Sequence, residues 1–195
     1  MRSILLSGFA AFAAIAAISV TPASAQVSIT HGGGNVNVAK GALSQADQSA
    51  TTLGGLASHH GVAITNGGNN RNVASGPLSY AGQDTTTVGG TALGHGLAIT
   101  NGGYNSNMAK GFGSSATQSS LTLGGTAYGH GKSLTSGGYN SNLAGGAFSS
   151  ADQQVATVGG TASRHGLNSV SGGYNKNAAL GFGSSASQQV FTGGQ

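Results

Sequence analysis

Gly-Gly pairs begin at Gly32, Gly67, Gly102, Gly137 and Gly172, each 35 residues after the last, with no insertion or deletion between them. A period held this strictly restricts the chain to repeat architectures, in which units bury their interiors against one another. The sequence divides into residues 1–25, a six-residue head (26–31), four full units (32–171) and an incomplete fifth unit (172–195). The head, QVSITH, matches the end of a unit.

Some columns of the repeat do not vary. Asn37, Asn72, Asn107, Asn142 and Asn177 share one, Ala39 and its copies a second, and Gly41, Gly76, Gly111, Gly146 and Gly181 a third. After that glycine the constant positions move by one residue, to Ser44, Ala46, Gln48 and Thr52 and their copies. The positions between them drift: Gln45, Tyr80, Ser115, Ser150 and Ser185 occupy one such column. Alternation of constant and free residues predicts β-strands with one constrained face and one solvated face. The change of phase at Gly41 predicts a turn or bulge, because glycine accepts backbone angles that other residues avoid. A further strand-like stretch, Val27 with Ile29, recurs as Val62 with Ile64 and Leu97 with Ile99. The expected fold class is all-β.

A unit lined with Ser, Ala, Asn, Gln and Thr buries too little apolar surface to fold alone. Stacking solves this. If each 35-residue unit is one layer of a β-solenoid or cross-β stack, copies lie about 4.8 Å apart and each side chain sits above its own kind. Amide side chains in such columns hydrogen-bond along the stack. The expected ladders are Asn37, Asn72, Asn107, Asn142 and Asn177; Gln48, Gln83, Gln118, Gln153 and Gln188; and Thr52, Thr87, Thr122 and Thr157. Constant spacing follows, since one inserted residue would put every later side chain out of register. A unit of two 17- to 18-residue layers is the competing architecture, although the halves of each unit superpose poorly.

Composition removes several function classes. Glycine numbers 37 of 195 residues without a three-residue period, and with only two prolines a collagen helix is excluded. Residues 1–25 combine Arg2, an apolar run over 4–20 and the TPASA segment, the form of a secretory signal. No later segment is apolar enough to span a bilayer as a helix. There is no cysteine, so an exported product is not a disulfide scaffold. The six basic residues beyond the signal are scattered singly, unlike a nucleic-acid surface. With no Glu, no Cys and no Asp recurring in every unit, a catalytic set is hard to assemble and no enzyme activity is expected. No cofactor is expected. His60, His95, His130 and His165 recur at the repeat period and form a weak candidate metal column, against the plainer reading of stacked turn residues. Tyr104, Tyr139 and Tyr174 form a candidate aromatic ladder, with sugar or surface adhesion as the lesser reading.

Beyond residue 25 the repeat region starts in the last strand of a unit and stops at FTGGQ partway through another, with no capping repeat recognised. Solenoids that stay monomeric need such caps. The expectation is head-to-tail polymerisation, the chain's main partner being itself. The alternative is a monomeric β-solenoid that binds ice or polysaccharide, which requires a flat face of regularly spaced Thr.

In the spaced positions N-φ-A-x-G-φ-x-S-x-A-x-Q, for instance NVAKGALSQADQ from Asn37 to Gln48, the chain resembles bacterial functional amyloid subunits. The likeness is to Fap fibre subunits and, more loosely, to curlin, and covers about the first half of each unit. The resemblance implies a secreted subunit of an extracellular fibre in biofilm or surface attachment. It further implies an outer-membrane export channel and a nucleator as partners.

Overall fold

The computed structural model describes residues 25–194 apart from His95, Gly125, Gly160 and His165; of residues 25, 26, 59 and 60 it describes the backbone alone. Most of the segment read as a secretory signal therefore lies outside the described residues. Among the described residues every regular element is a β-strand, and all pairings are parallel.

Each unit makes one turn of a β-solenoid and contributes to three sheets. The first sheet stacks Gly34–Lys40, Asn69–Ser75, Tyr104–Lys110, Tyr139–Gly145 and Tyr174–Leu180. The second stacks Gln45–Leu53, Tyr80–Val88, Ser115–Leu123, Ser150–Val158 and Ser185–Gly193. The third starts with Ala25–His31, continues through Leu56–Asn66, Leu97–Asn101, Lys132–Ser136 and Leu167–Ser171, and includes the short strands Thr91–Ala92 and Thr126–Ala127. Partners in the first two sheets are 35 residues apart, as in Asn37↔Asn72, Gln83↔Gln118 and Thr122↔Thr157. One layer per repeat is thus the architecture, and the two-layer alternative falls. The head takes the third-sheet position of the layer before the first full unit, with Val27 opposite Val62.

The inner faces of the first and second sheets pack on each other through Ala74, Ala109 and Ala144 against Ala81, Ala116 and Ala151. The buried apolar side chains are almost all alanine, with Val155 the exception among the described residues. Larger apolar side chains point outward: Val36 is 70% exposed and Leu43 73%. A core of methyl groups gains only about 0.8 kcal/mol per buried carbon. Cohesion therefore depends heavily on hydrogen bonds along and across the stack.

The expected change of phase occurs where the first sheet turns into the second. Gly41, Gly76, Gly111, Gly146 and Gly181 have φ between +129° and +140°. Stacking adds a second reason for this column. A Cβ on Gly76 would fall 1.9 Å from the carbonyl oxygen of Gly41 one layer below, and a Cβ on Gly111 equally close to that of Gly76. Two residues further on the backbone is left-handed in each unit, at Leu43, Leu78, Gly113, Phe148 and Gly183. Glycine occupies only two of these five positions, so the other three carry strain.

Candidate self-assembly surface: the side-chain ladders

The Asn37 column runs through the interior as expected, but its side-chain links start at Asn72, whose buried Oδ1 receives no donor from Asn37. Asn72 Nδ2 donates to Asn107 Oδ1 at 3.1 Å, Asn107 Nδ2 to Asn142 Oδ1 at 3.1 Å, and Asn142 Nδ2 to Asn177 Oδ1 at 3.0 Å. The same nitrogens also cross to the second sheet. Asn107 Nδ2 lies 2.9 Å from the Ala81 carbonyl and 2.5 Å from that of Thr117, so one amide links two sheets and two layers. Asn72 and Asn142 repeat this arrangement, while Asn37 reaches the Asp47 carbonyl at 2.7 Å. Asn72, Asn107 and Asn142 are at most 1% exposed. Leaving a buried donor of this kind unpaired costs about 1–3 kcal/mol, more than the ~1 kcal/mol its bond contributes. The ladder therefore acts chiefly by penalising wrong register.

A second asparagine ladder escaped the sequence reading. Asn35, Asn70, Asn105, Asn140 and Asn175 are linked Nδ2 to Oδ1 at 2.8, 2.9, 2.9 and 2.8 Å. The signal was present: Asn recurs two positions before Asn37 in every unit. Thr85 Oγ1 donates to Asn105 Oδ1 at 3.1 Å, tying this ladder to the second sheet as well.

The glutamine and threonine columns stack but bond differently. Gln83, Gln118 and Gln153 are buried, yet the side-chain link between layers joins Gln153 Nε2 to Gln118 Oε1 at 3.3 Å, while the amide atoms of Gln48 and Gln83 have no hydrogen-bond partner. Gln188, in the last layer, is exposed. Thr52, Thr87, Thr122 and Thr157 are at most 2% exposed and face the corner glycines. A Cβ on Gly102 would fall 2.4 Å from Thr122 Oγ1 and 2.6 Å from the Gly137 carbonyl oxygen, so this column sets the tight corner. Buried threonines cannot form the ice-facing surface that the monomeric alternative needs.

Tyr104 and Tyr139 stack with centroids 4.7 Å apart and planes within 3°, and Tyr139 and Tyr174 at 4.9 Å and 11°. Tyr139 is thus covered by a ring on both faces, and Tyr104 and Tyr174 on one face each. Phe112, Phe148 and Phe182 pack edge to face along the outer corner, with centroids 5.3 and 5.9 Å apart. Of the histidine column, His95 and His165 and the side chain of His60 lie outside the described residues. His130 is exposed in a turn, and the described residues bring together no group of three His, Cys, Asp or Glu.

The chain matches no known protein family, and comparisons with curated proteins and with solved structures find none similar to it.

Proposed function

We propose that this chain is a secreted structural subunit that joins copies of itself along the stack axis into an amyloid-like extracellular fibre. The observation that carries the reading is the polarity of the two asparagine ladders. In seven of the eight layer contacts of these ladders Nδ2 of one layer donates to Oδ1 of the next, Asn37 and Asn72 being the exception, so an added layer meets the same partner set as an internal one. Backbone pairing behaves alike. Among the described residues, Gly34–Lys40 and Gln45–Leu53 pair on one side only, as do Tyr174–Leu180 and Ser185–Gly193. A polar, head-to-tail contact of this kind does not close on itself and extends into a filament. The resemblance to functional amyloid subunits supports placing the fibre at the cell surface, in biofilm or attachment, with an export channel and a nucleator upstream.

Thioflavin fluorescence, electron microscopy and fibre diffraction on the purified chain test this. Fibres with a meridional reflection near 4.8 Å are expected. A chain that stays monodisperse by light scattering at raised concentration, without fibres, overturns it.

A further inference from the structure

The charged side chains are sorted between two opposite faces. Because the first and second sheets pack inner face to inner face, their outer faces point away from each other. Lys40, Arg71, Lys110 and Lys176 all stand exposed on the outer face of the first sheet, which carries no acidic residue. Asp47, Asp84 and Asp152, the only three acidic residues in the protein, all stand exposed on the outer face of the second, which carries no Lys or Arg. The remaining cations of the repeat region, Lys132 and Arg164, belong to the third-sheet side of each turn.

Sorting also holds along the stack. Each layer places no more than one charge on either face, and the cations alternate between the column of Lys40 and Lys110 and the column of Arg71 and Lys176. Like charges in one column are thus at least two layers apart, about 10 Å at the ordinary strand spacing. Only a partner with the same axial repeat can keep such charges opposed over several layers, and a second copy of this chain has that repeat.

We infer that stacks associate side by side, the cationic outer face of the first sheet in one copy seating on the anionic outer face of the second sheet in another. The contact is heterologous: each stack keeps a free face of each sign, so rows grow without closing. Pairing of two cationic faces is opposed by the repulsion of four unneutralised charges on each side. Hydrophobic columns beside the charges, Val38, Val73, Met108 and Leu143 on the first sheet, supply the dry part of the contact.

This lateral contact is separate from the axial growth proposed above, and the test reads them apart. The width of assemblies is measured by electron microscopy and small-angle scattering at salt concentrations from about 10 mM to about 0.5 M, across which the Debye length shrinks from ~30 Å to a few ångströms. Wild-type rows should be at least about three times wider at the low end, where screening is weakest. One variant carries Asp47→Asn, Asp84→Asn and Asp152→Asn; the other carries Lys40→Gln, Arg71→Gln, Lys110→Gln and Lys176→Gln. Each alone should give single stacks, and their mixture should give pairs and no wider rows, since each retains one charged face. Widths indifferent to salt and to both variants overturn the inference even if fibres form. Salt-dependent side-by-side pairing of soluble stacks without fibres upholds it while the axial reading falls; neither pairing nor fibres defeats both. Should the variants not fold, the salt series on the wild-type chain decides alone.

Discussion

The sandwich of the first two sheets and the third sheet obey the same period but not the same discipline. In the sandwich every unit supplies strands of seven and nine residues, and six inward columns, those of Asn35, Asn37, Ala39, Ala46, Gln48 and Thr52, hold one residue type throughout, while a seventh reads Ala50, Thr85, Ser120, Val155 and Val190. The third sheet loosens as the chain proceeds. Leu56–Asn66 is continuous over 11 residues, the next two units split into strands of two and five, and in the fourth a single bridge, Ala127↔Ala162, replaces the short strand. Its inward columns drift too, one reading Ser28, Ala63, Ala98, Ser133 and Asn168. The difference lies in what each interior must satisfy. In the sandwich Asn72, Asn107 and Asn142 bond both to the next layer and across to the opposing backbone, so they have one workable identity and one workable height. The third sheet is lined largely by alanine, whose methyl group makes no directional demand.

The sharpest way to break this contrast is a single glycine inserted in each region. After Gln118 the insertion turns Leu121 inward and Thr122 outward; a loss of more than about 4 kcal/mol in urea unfolding is expected, since a one-residue slip exchanges the two faces. After Tyr128, in an exposed turn of the third-sheet segment, the same insertion should cost less than about 1 kcal/mol, because surface loops absorb added length cheaply. Equal costs would erase the distinction.

Next in size are single side chains. Asn107→Leu should cost about 1–3 kcal/mol by removing the donor from two second-sheet carbonyls, those of Ala81 and Thr117, and from Asn142 Oδ1. Thr100→Val, at a third-sheet position 1% exposed whose hydroxyl has no partner, should change stability by less than about 0.5 kcal/mol in either direction. Within the sandwich, Gln83→Met should cost less than Asn72→Leu, because the Gln83 amide is already unpaired while the two hydrogens of Asn72 Nδ2 are shared among three oxygens. Thermal unfolding of the two variants side by side checks this ordering. The smallest effect is expected at the outer corner. Leu43→Asn replaces an exposed residue at φ 57° with one that tolerates this conformation, and should raise stability by about 0.5–1 kcal/mol in the same assay.

Spacing alone made much of this legible. The 35-residue period, the alternation, the phase change at Gly41 and the inward Asn37 column all follow from reading the units against each other, and each agrees with the structure. The Gln column was expected to behave as the Asn column does, and in the structure its amides link at Gln118 and Gln153 but not at Gln48 or Gln83. Gln118 alone of the recorded glutamine amides reaches the opposing backbone, at the Asn105 carbonyl and the long distance of 3.5 Å, where the shorter asparagine bonds its opposing carbonyls at 2.5–3.1 Å. The Asn35 column is equally constant but lies two residues before the N-x-A-x-G core, beside the Gly-Gly turn, where constancy by itself does not separate an inward strand position from a turn residue.

What the sequence determined by itself was the axial order: which residue lies above which. In a parallel, in-register stack a neighbour along the axis is one period away, so repetition in the chain is repetition in space. The cross-section was decided only by tertiary structure. How the turns bring the Asn face onto the Ala and Gln face, and turn the cations to one side and the carboxylates to the other, depends on backbone angles at a few corner residues. No periodicity records those angles.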